Sequence, residues 1–258
     1  MPGLQRLRSK LFLARWSLLL WALFTLGISL AAWQLFPGVH FMSDGGLQGI
    51  LLVVLVDLVL GPLLFLIAAN PDKPRREQLT DAIVLISIQL AAMGWGSWQV
   101  YTQRPVAISY LASEGMAIPT IAANFTRQDI TVTELQGSPL GALPAFHVLL
   151  GPGDAAKALQ KMVDTGIPLS AQREYLRPLF AHGDAVFTRQ QRFLDYWAGE
   201  GQPLWQAWTA AHSGKEPAAY RHLLFAGRHG NAVLLVNADD TLAGYIRLPG
   251  MGLPAALK

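Results

Sequence analysis

Cysteine is absent from this 258-residue sequence. Disulfide bonds, thiolate zinc sites and cysteine nucleophiles are therefore excluded. The six histidines supply no substitute metal site, since none of them stands at the H-E-x-x-H spacing or at another close metal-binding spacing. No G-x-S-x-G segment marks a serine nucleophile either. The sequence thus indicates a protein with no metal ion, no cofactor and no catalytic centre.

Charged residues are also scarce, at 14% of the chain, against about 25% in an average soluble domain. Hydrophobic residues make up 52%, and their excess lies in the amino-terminal part. The sequence pI is 9.3, but the basic residues form no patch interleaved with aromatic residues, and several of them flank apolar runs. The composition therefore indicates a membrane protein and no nucleic-acid partner.

Three long apolar runs, at about residues 16–36, 49–69 and 82–101, account for the hydrophobic excess. A run of about 20 apolar residues matches the hydrocarbon thickness of a bilayer. A cleaved signal peptide is the alternative for the first run, but the apolar part of a signal peptide is usually only about 7–15 residues long. We therefore predict a membrane protein with three transmembrane α-helices in residues 1–104.

Basic residues flank these runs on one side of the expected membrane. The flanking residues are Arg6, Arg8 and Lys10 before the first run, and Lys73, Arg75 and Arg76 between the second and third runs. The loop of residues 37–46 contains neither lysine nor arginine. The positive-inside rule then places the amino terminus and the loop around Lys73 in the cytoplasm. Residues 105–258 are expected on the outer side.

Residues 105–258 are expected to form one exported α+β domain. Val, Ile and Tyr favour a strand over residues 105–112, and residues 146–150 are a second strand candidate. Ala, Leu, Lys and Gln indicate a helix over residues 155–164, which Asp154 can cap. Three apolar stretches near the end of the chain alternate with turn residues, and they predict a C-terminal antiparallel β meander.

One carboxylate interrupts the second apolar run. Asp57 is its only charge, and Gly61 and Pro62 follow about one helical turn later. A charge inside a bilayer costs a few kcal/mol or more and usually faces protein or water. Gln89 and Gly94 in the third run are candidate partners. Two interpretations stay open: Asp57 only fixes the packing of the predicted helices, or this face is a polar, close-packing seam for a client helix.

Two glycine-containing loops receive a conservative interpretation. Gly45, Gly46 and Gln48 stand where the second run begins, and they indicate either a flexible turn or a contact with the exported domain or a partner. Residues 151–156 formally match the dinucleotide-binding pattern G-x-G-x-x-A, but no convincing second parallel strand follows them. We interpret this segment as a strand-to-helix turn and predict no NAD or FAD.

One block of the sequence carries a family resemblance. It consists of Asp44–Leu64 (DGGLQGILLVVLVDLVLGPLL), Asn70–Pro74 (NPDKP), Asp81, Gln89 and Arg104–Val106. Over about residues 43–107 the chain resembles the TfpX/TfpZ family of type IV pilin accessory proteins. The matching positions are Gly45, Gly46, Gln48, Asp57, Gly61, Pro62, Lys73, Asp81, Gln89, Arg104 and Pro105. The stretch Ala232–Val236 with Gly244–Ile246 is also similar to that family.

The resemblance implies a non-enzymatic protein of the bacterial inner membrane that aids pilin stability or pilus assembly, with a periplasmic carboxyl-terminal domain. The implied partners are a type IV pilin, inner-membrane lipid and the pilus assembly machinery. We expect chaperone-like pilin binding through Gly45, Gly46, Gln48, Asp57, Gly61, Pro62, Gln89 and Gly94. A membrane-anchored envelope sensor or ligand-binding protein is the alternative interpretation.

Overall fold

The computed structural model describes residues 22–23, 25–55, 74–187, 189–250 and 252–257. The chain divides into two compact units. Unit 1 combines Met1–Leu35 with Gly46–Thr102, and unit 2 combines Phe36–Gly45 with Gln103–Lys258. The predicted division at residue 104 stays a prediction; in the structure, Phe36–Gly45 packs within unit 2.

Helices form the described part of unit 1. Helix α1 spans Thr25–Leu35, α3 spans Gly46–Leu55, and α4 spans Arg75–Gln103, whose last residue already belongs to unit 2. The short helix α2, Val39–Ser43, comes between α1 and α3 in the sequence and belongs to unit 2. Large apolar side chains on α4 point outward: Trp95 is 68% exposed and Trp98 is 61% exposed.

The prediction of three transmembrane helices is wrong for the part of the chain that the structure describes. There, one helix, Leu79–Gln103 within α4, is long and apolar enough to cross a membrane. Of the predicted span 16–36, the structure describes the helix Thr25–Leu35, which ends before Pro37, as proline disfavours helical geometry in the residue that precedes it. Of the predicted span 49–69, residues 49–55 belong to α3, and the others lie outside the described residues. In the described residues, a multi-pass arrangement is not supported.

Several residues named from the sequence lie outside the described ranges. They are Arg6, Arg8, Lys10, Asp57, Gly61, Pro62 and Lys73.

Unit 2 is built on one eight-stranded sheet. The strands are β1 Pro105–Leu111, β2 Met116–Ile121, β3 Ser138–Leu140, β4 Leu143–Val148, β5 Leu176–Pro178, β6 Arg221–Ala226, β7 Asn231–Val236 and β8 Leu242–Arg247. Their order is β3-β4-β1-β2-β6-β7-β8, and β5 also pairs with β4. The β3–β4 turn meets the far end of the sheet, since a Cβ built on Gly141 would lie 2.9 Å from Cδ2 of Leu242. The sheet therefore curls into a half-barrel.

Some strands of the sheet pair with their neighbours in the sequence, and others pair with strands that are distant in the sequence. Strands β6, β7 and β8 pair antiparallel in chain order, which confirms the predicted C-terminal meander. Strand β1 pairs antiparallel with β2 but parallel with β4, and β2 pairs parallel with β6 at a single position, Ala117 opposite Phe225. The meander and the amino-terminal strands thus share one mixed sheet.

Four α-helices and six 3-10 segments cover the sheet or connect its strands in the described part of unit 2 after β1. Helix α5 spans Ala122–Thr126, α6 spans Asp154–Thr165, α7 spans Gln190–Ala198 and α8 spans Gln202–His212. The longest 3-10 segment is Leu179–Val186. Shorter 3-10 turns occupy Val132–Glu134, Leu169–Ala171, Arg173–Tyr175, Pro217–Ala219 and Ala255–Leu257.

Apolar packing covers both faces of the meander. On β7, Leu234 belongs to the core enclosed by the half-barrel, while Val233 and Leu235 belong to a second core beneath α7 and α8. Side chains alternate between faces along a strand, so a strand buried on both faces needs an unbroken apolar run. This requirement explains why every residue of β7 is buried.

Candidate functional site

The segment Phe36–Gly45 packs against the sheet of unit 2. Val39 on α2 joins the half-barrel core. The ring of His40 meets the ring of Phe225 on β6 edge-on, with centroids 5.1 Å apart at 87°. Burial of a histidine and an aliphatic residue on this short helix holds the segment against the sheet.

Polar contacts fix the end of the same segment. The Asp44 carboxylate is fully buried and bonds through Oδ2 to Nδ1 of His40. Its Oδ1 accepts a hydrogen bond from the backbone N–H of Arg228, at 3.3 Å. The Ser43 carbonyl accepts one from the backbone N–H of His229, at 2.7 Å. A buried carboxylate is stabilised by such donors, which replace the water it loses.

The sequence-predicted loop residues divide between the two units. Gly45 has a φ of +101° and lies against His229, since a Cβ built on it would be 3.2 Å from Nε2. Gly46 begins α3, and Gln48 lies on that helix. Of the two interpretations left open for this loop, the contact with the carboxyl-terminal part of the chain therefore holds for Gly45. A role of these residues in partner binding stays a prediction.

Helix α4 carries the other predicted residues that the structure describes. Arg75 and Arg76 form its first turn, and Gln89 and Gly94 lie in its middle and second half. A Cβ built on Gly94 meets nothing within 4 Å. Small residues at helical spacing continue this exposed face: Ser87, Ala91, Gly94 and Ser97.

An exposed apolar patch on unit 2 was missed from the sequence. Its members are Leu159, Met162 and Val163 on α6; with Leu150 in the preceding loop, they are the exposed large aliphatic side chains in the described part of unit 2. Leu159 is 57% exposed and Val163 is 71% exposed. We call this the α6 patch. The spacing of three and four residues between Leu159, Met162 and Val163 was the available signal, but it did not distinguish an outward face from a core face.

The segment that matches a dinucleotide pattern forms a tight turn. Gly151 to Gly153 connect β4 to α6, and Asp154 accepts the Gly151 backbone N–H through Oδ2, at 3.0 Å. Asp154 is the first residue of α6, and Gly153 holds the cap position predicted for it. The strand after α6, β5, pairs antiparallel with β4. The parallel βαβ unit that a dinucleotide requires is therefore not formed here.

A second buried histidine lies in the aromatic core. The ring of His222 stacks on Phe193 with centroids 5.5 Å apart, and its Nδ1 bonds to the side chain of Gln190. Gln190 also accepts the His222 backbone N–H and donates to the Tyr220 carbonyl. Burial lowers the pKa of His222 to about 4. These contacts make His222 a neutral packing residue that ties α7 to β6.

Titratable groups do not assemble into a metal site in the described ranges, where no group of three or more His, Asp or Glu side chains stands in a metal-binding arrangement.

Three curated proteins of Dichelobacter nodosus are similar to part of this chain. "Fimbrial assembly protein, serogroup I" is 35% identical over 84 residues, which are 33% of this chain and 32% of that protein. "Fimbrial assembly protein, serogroup E1" is 35% identical over 89 residues, 34% of each chain. "Fimbrial assembly protein, serogroups C1 and C2" is 35% identical over 84 residues, 33% of this chain and 63% of that protein.

The chain thus spans about a third of the length of the first two relatives and 63% of the third. No protein-family model matches it, and no solved structure matches it.

Proposed function

We propose that this protein assists the assembly of type IV pili by binding the pilin, without catalysing a reaction. Three proteins similar to part of the chain are named fimbrial assembly proteins, and residues 43–107 resemble the type IV pilin accessory family. The pilin before assembly has a mostly apolar amino-terminal helix in the membrane and a globular head outside it. A partner with membrane-embedded and aqueous parts would contact that client on both sides of the interface.

The α6 patch is the observation that carries this proposal. Apolar side chains gathered on a water-exposed domain mark a contact surface more often than scattered ones do. Leu159 and Val163 are four residues apart and so share one face of α6, with Met162 beside them. In the proposal this face binds the pilin head.

Helix α4 offers the matching surface for the apolar helix of the pilin. The small residues around Gly94 allow another helix to approach closely, which is how helices associate inside a bilayer. Arg75 and Arg76 begin α4, and the positive-inside rule then favours a cytoplasmic start for this helix and a periplasmic unit 2. Gln89, on the same helix, is proposed as a further residue of pilin binding.

The proposal is tested by photocrosslinking in cells that carry the full chain and the cognate pilin. A photoreactive residue at Met162 is expected to give adducts with the pilin head, and one at Leu90 adducts with the pilin's amino-terminal helix. Val163→Lys should lower the Met162 adduct about tenfold, since it puts a charge into an apolar contact. Gly94→Leu should lower the Leu90 adduct, whereas Gly94→Ala should retain most of it.

Gln160→Lys is the matched control for the α6 patch, because it adds the same charge at an exposed position of the same helix. It should leave the adducts unchanged. Adducts at both positions that contain only other copies of this chain would contradict pilin binding. So would normal pilin adducts and normal piliation in a Val163→Lys/Gly94→Leu variant of normal abundance.

A further inference from the structure

A basic pocket lies at the β6–β7 loop of unit 2. Its volume is about 400 Å³, and it is lined by Leu204, His229, Arg247, Leu248, Pro249 and Gly250. Arg247 ends the edge strand β8 and lies close to the loop, since a Cβ built on Gly230 would be 3.4 Å from its Nε. The pocket therefore combines two basic side chains with an apolar wall.

The two basic groups of this pocket are available to a ligand. Arg247 and His229 are exposed, and among the residues that the structure describes neither side chain has a hydrogen-bond or ion-pair partner. No acidic residue lines the pocket. The nearby Asp44 carboxylate is buried and already bonded to His40 and the Arg228 backbone. An anion in the pocket would thus meet positive charge without a competing carboxylate.

The loop that carries His229 also contacts Gln103 within unit 2. The residue before His229, Arg228, donates from Nη2 to the carbonyl of Gln103 at 3.0 Å and from Nη1 to its side-chain oxygen at 3.3 Å. Gln103 is the last residue of α4 and of the candidate membrane span. A cation at this carbonyl is favoured by the helix dipole. A membrane crossed by α4 would therefore have its polar headgroups at the level of Gln103.

We propose that this pocket binds the phosphate of an anionic phospholipid headgroup. The Arg247 guanidinium can donate two parallel hydrogen bonds to one phosphate, and the His229 ring can donate a third. Leu204 and Pro249 would contact the glycerol and the first acyl carbons. An acidic protein segment would use the same two basic side chains, but the apolar wall and the contact of the loop with Gln103, the last residue of the candidate membrane span, favour a lipid. The site goes beyond pilin binding and does not depend on it.

The test measures lipid binding to the full chain in neutral detergent by native mass spectrometry. Phosphatidylglycerol should bind more tightly than phosphatidylcholine, and added salt should weaken it. Arg247→Gln should weaken phosphatidylglycerol binding roughly fivefold, and Arg247→Gln/His229→Gln by more than that. Arg173→Gln removes an exposed arginine outside the pocket and should leave binding unchanged.

Each alternative occupant gives a different result. Equal phosphatidylglycerol binding by the double variant and the parent would overturn the proposal, and so would displacement of the lipid by an equal concentration of inorganic phosphate. Loss of pilin crosslinking with unchanged lipid binding would assign the pocket to a protein partner and overturn it as well. Loss of lipid binding with retained Met162 adducts supports the lipid site, whereas absence of pilin adducts from the parent chain bears only on the proposed function.

Discussion

The carboxylate of Asp44 accepts a hydrogen bond from the backbone of Arg228, 184 residues further along the chain. This contact is partly buried, and the bond from His40 to the same carboxylate is buried. They join the end of α2 to the β6–β7 loop. His229, the residue after Arg228 in this loop, lines the basic pocket. The segment Phe36–Gly45 is therefore a structural part of unit 2, and its loss should loosen the loop that carries Arg228 and His229.

Replacement of Asp44 by alanine is expected to destabilise unit 2. Asp44→Ala leaves the buried Nδ1 of His40 and the partly buried backbone N–H of Arg228 without their acceptor. A buried donor left unsatisfied costs about 1–3 kcal/mol, so we expect a total loss of that order or somewhat more. Thermal unfolding of the full chain in detergent, followed by tryptophan fluorescence, measures the loss.

Two variants control this prediction. Asp44→Asn keeps an oxygen acceptor and should cost less than the alanine variant. Asp195→Ala removes an exposed carboxylate on α7 that contacts Gln191 and should change stability by less than about 0.5 kcal/mol. An Asp44→Ala protein that unfolds at the same temperature as the Asp195→Ala protein would refute the structural role of this carboxylate.

A methyl group at Gly227 is expected to displace the docked segment. A Cβ built there would lie 2.6 Å from both the Cβ and the carbonyl oxygen of Ser43. Because the Ser43 oxygen belongs to the backbone, the segment must move, and overpacking of this kind costs about 1–3 kcal/mol. Gly227→Ala should accordingly speed proteolytic cleavage within residues 36–45.

Gly252→Ala is the matched control, since a Cβ built on Gly252 meets nothing within 4 Å. It should be cleaved at the parental rate. Equal cleavage rates for the two variants would mean that Ser43 does not approach Gly227 in solution.

Acid should destabilise unit 2 through His222. Burial lowers its folded-state pKa to about 4, below the about 6.5 of an exposed histidine. Well above pH 6.5 the ring is neutral in both the folded and the unfolded state, and this group adds no pH dependence. As the pH falls towards 4, His222 binds a proton in the unfolded chain but not in the folded chain. The free energy of unfolding therefore falls by up to about 3 kcal/mol. Urea unfolding at pH 7 and pH 5 measures this fall.

His222→Gln removes the titrating group and should reduce the loss of stability between pH 7 and pH 5. The two pH values are compared within each protein, so the cost of the substitution itself cancels. A pH dependence that is identical in the variant and the parent would show that His222 does not provide it.

The sequence predicted those parts of the fold that depend on near neighbours. The apolar run Ala232–Val236 and the turn residues on either side of it were sufficient to indicate β7 and its pairing with β6 and β8. The parallel pairing of β1 with β4 was not predictable, because it depends on contacts between distant residues and leaves no local pattern. The burial of His40 and Asp44 was equally unpredictable. In the sequence they are ordinary polar loop residues, and only tertiary packing buries them.

The membrane part was overestimated for a related reason. Hydropathy alone treats every apolar run of about 20 residues as a span. Among the residues that the structure describes, one such run, Leu79–Gln103, forms a helix long and apolar enough to cross a membrane, whereas the described helix of the first run covers Thr25–Leu35. The α6 patch was overlooked because a stripe at helical spacing has the same pattern whether it faces a core or solvent.

A buried hydroxyl pair connects β1 and β2, and it allows a quantitative test of the sheet. The Ser109 hydroxyl donates to the Ser170 carbonyl at 2.6 Å, and Ser109 Oγ lies 2.9 Å from Oγ1 of Thr120. Thr120 Oγ1 lies 3.3 Å from the same carbonyl. The Thr120 hydroxyl therefore donates its one hydrogen bond to the nearer Ser109 Oγ. Ser109→Ala therefore removes two hydrogen bonds and should cost about 1–3 kcal/mol, whereas Thr120→Val removes one donor and should cost less.

The double variant distinguishes a network from two independent bonds. When Ser109 is absent, Thr120 can turn to the Ser170 carbonyl, so the two costs should not add. We expect Ser109→Ala/Thr120→Val to differ from the sum of the single variants by at least about 0.5 kcal/mol, which is the range for residues in one network. Thr133→Val, at an exposed threonine, should be nearly neutral. Strict additivity of the two buried substitutions in thermal unfolding would mean that the hydroxyls act independently.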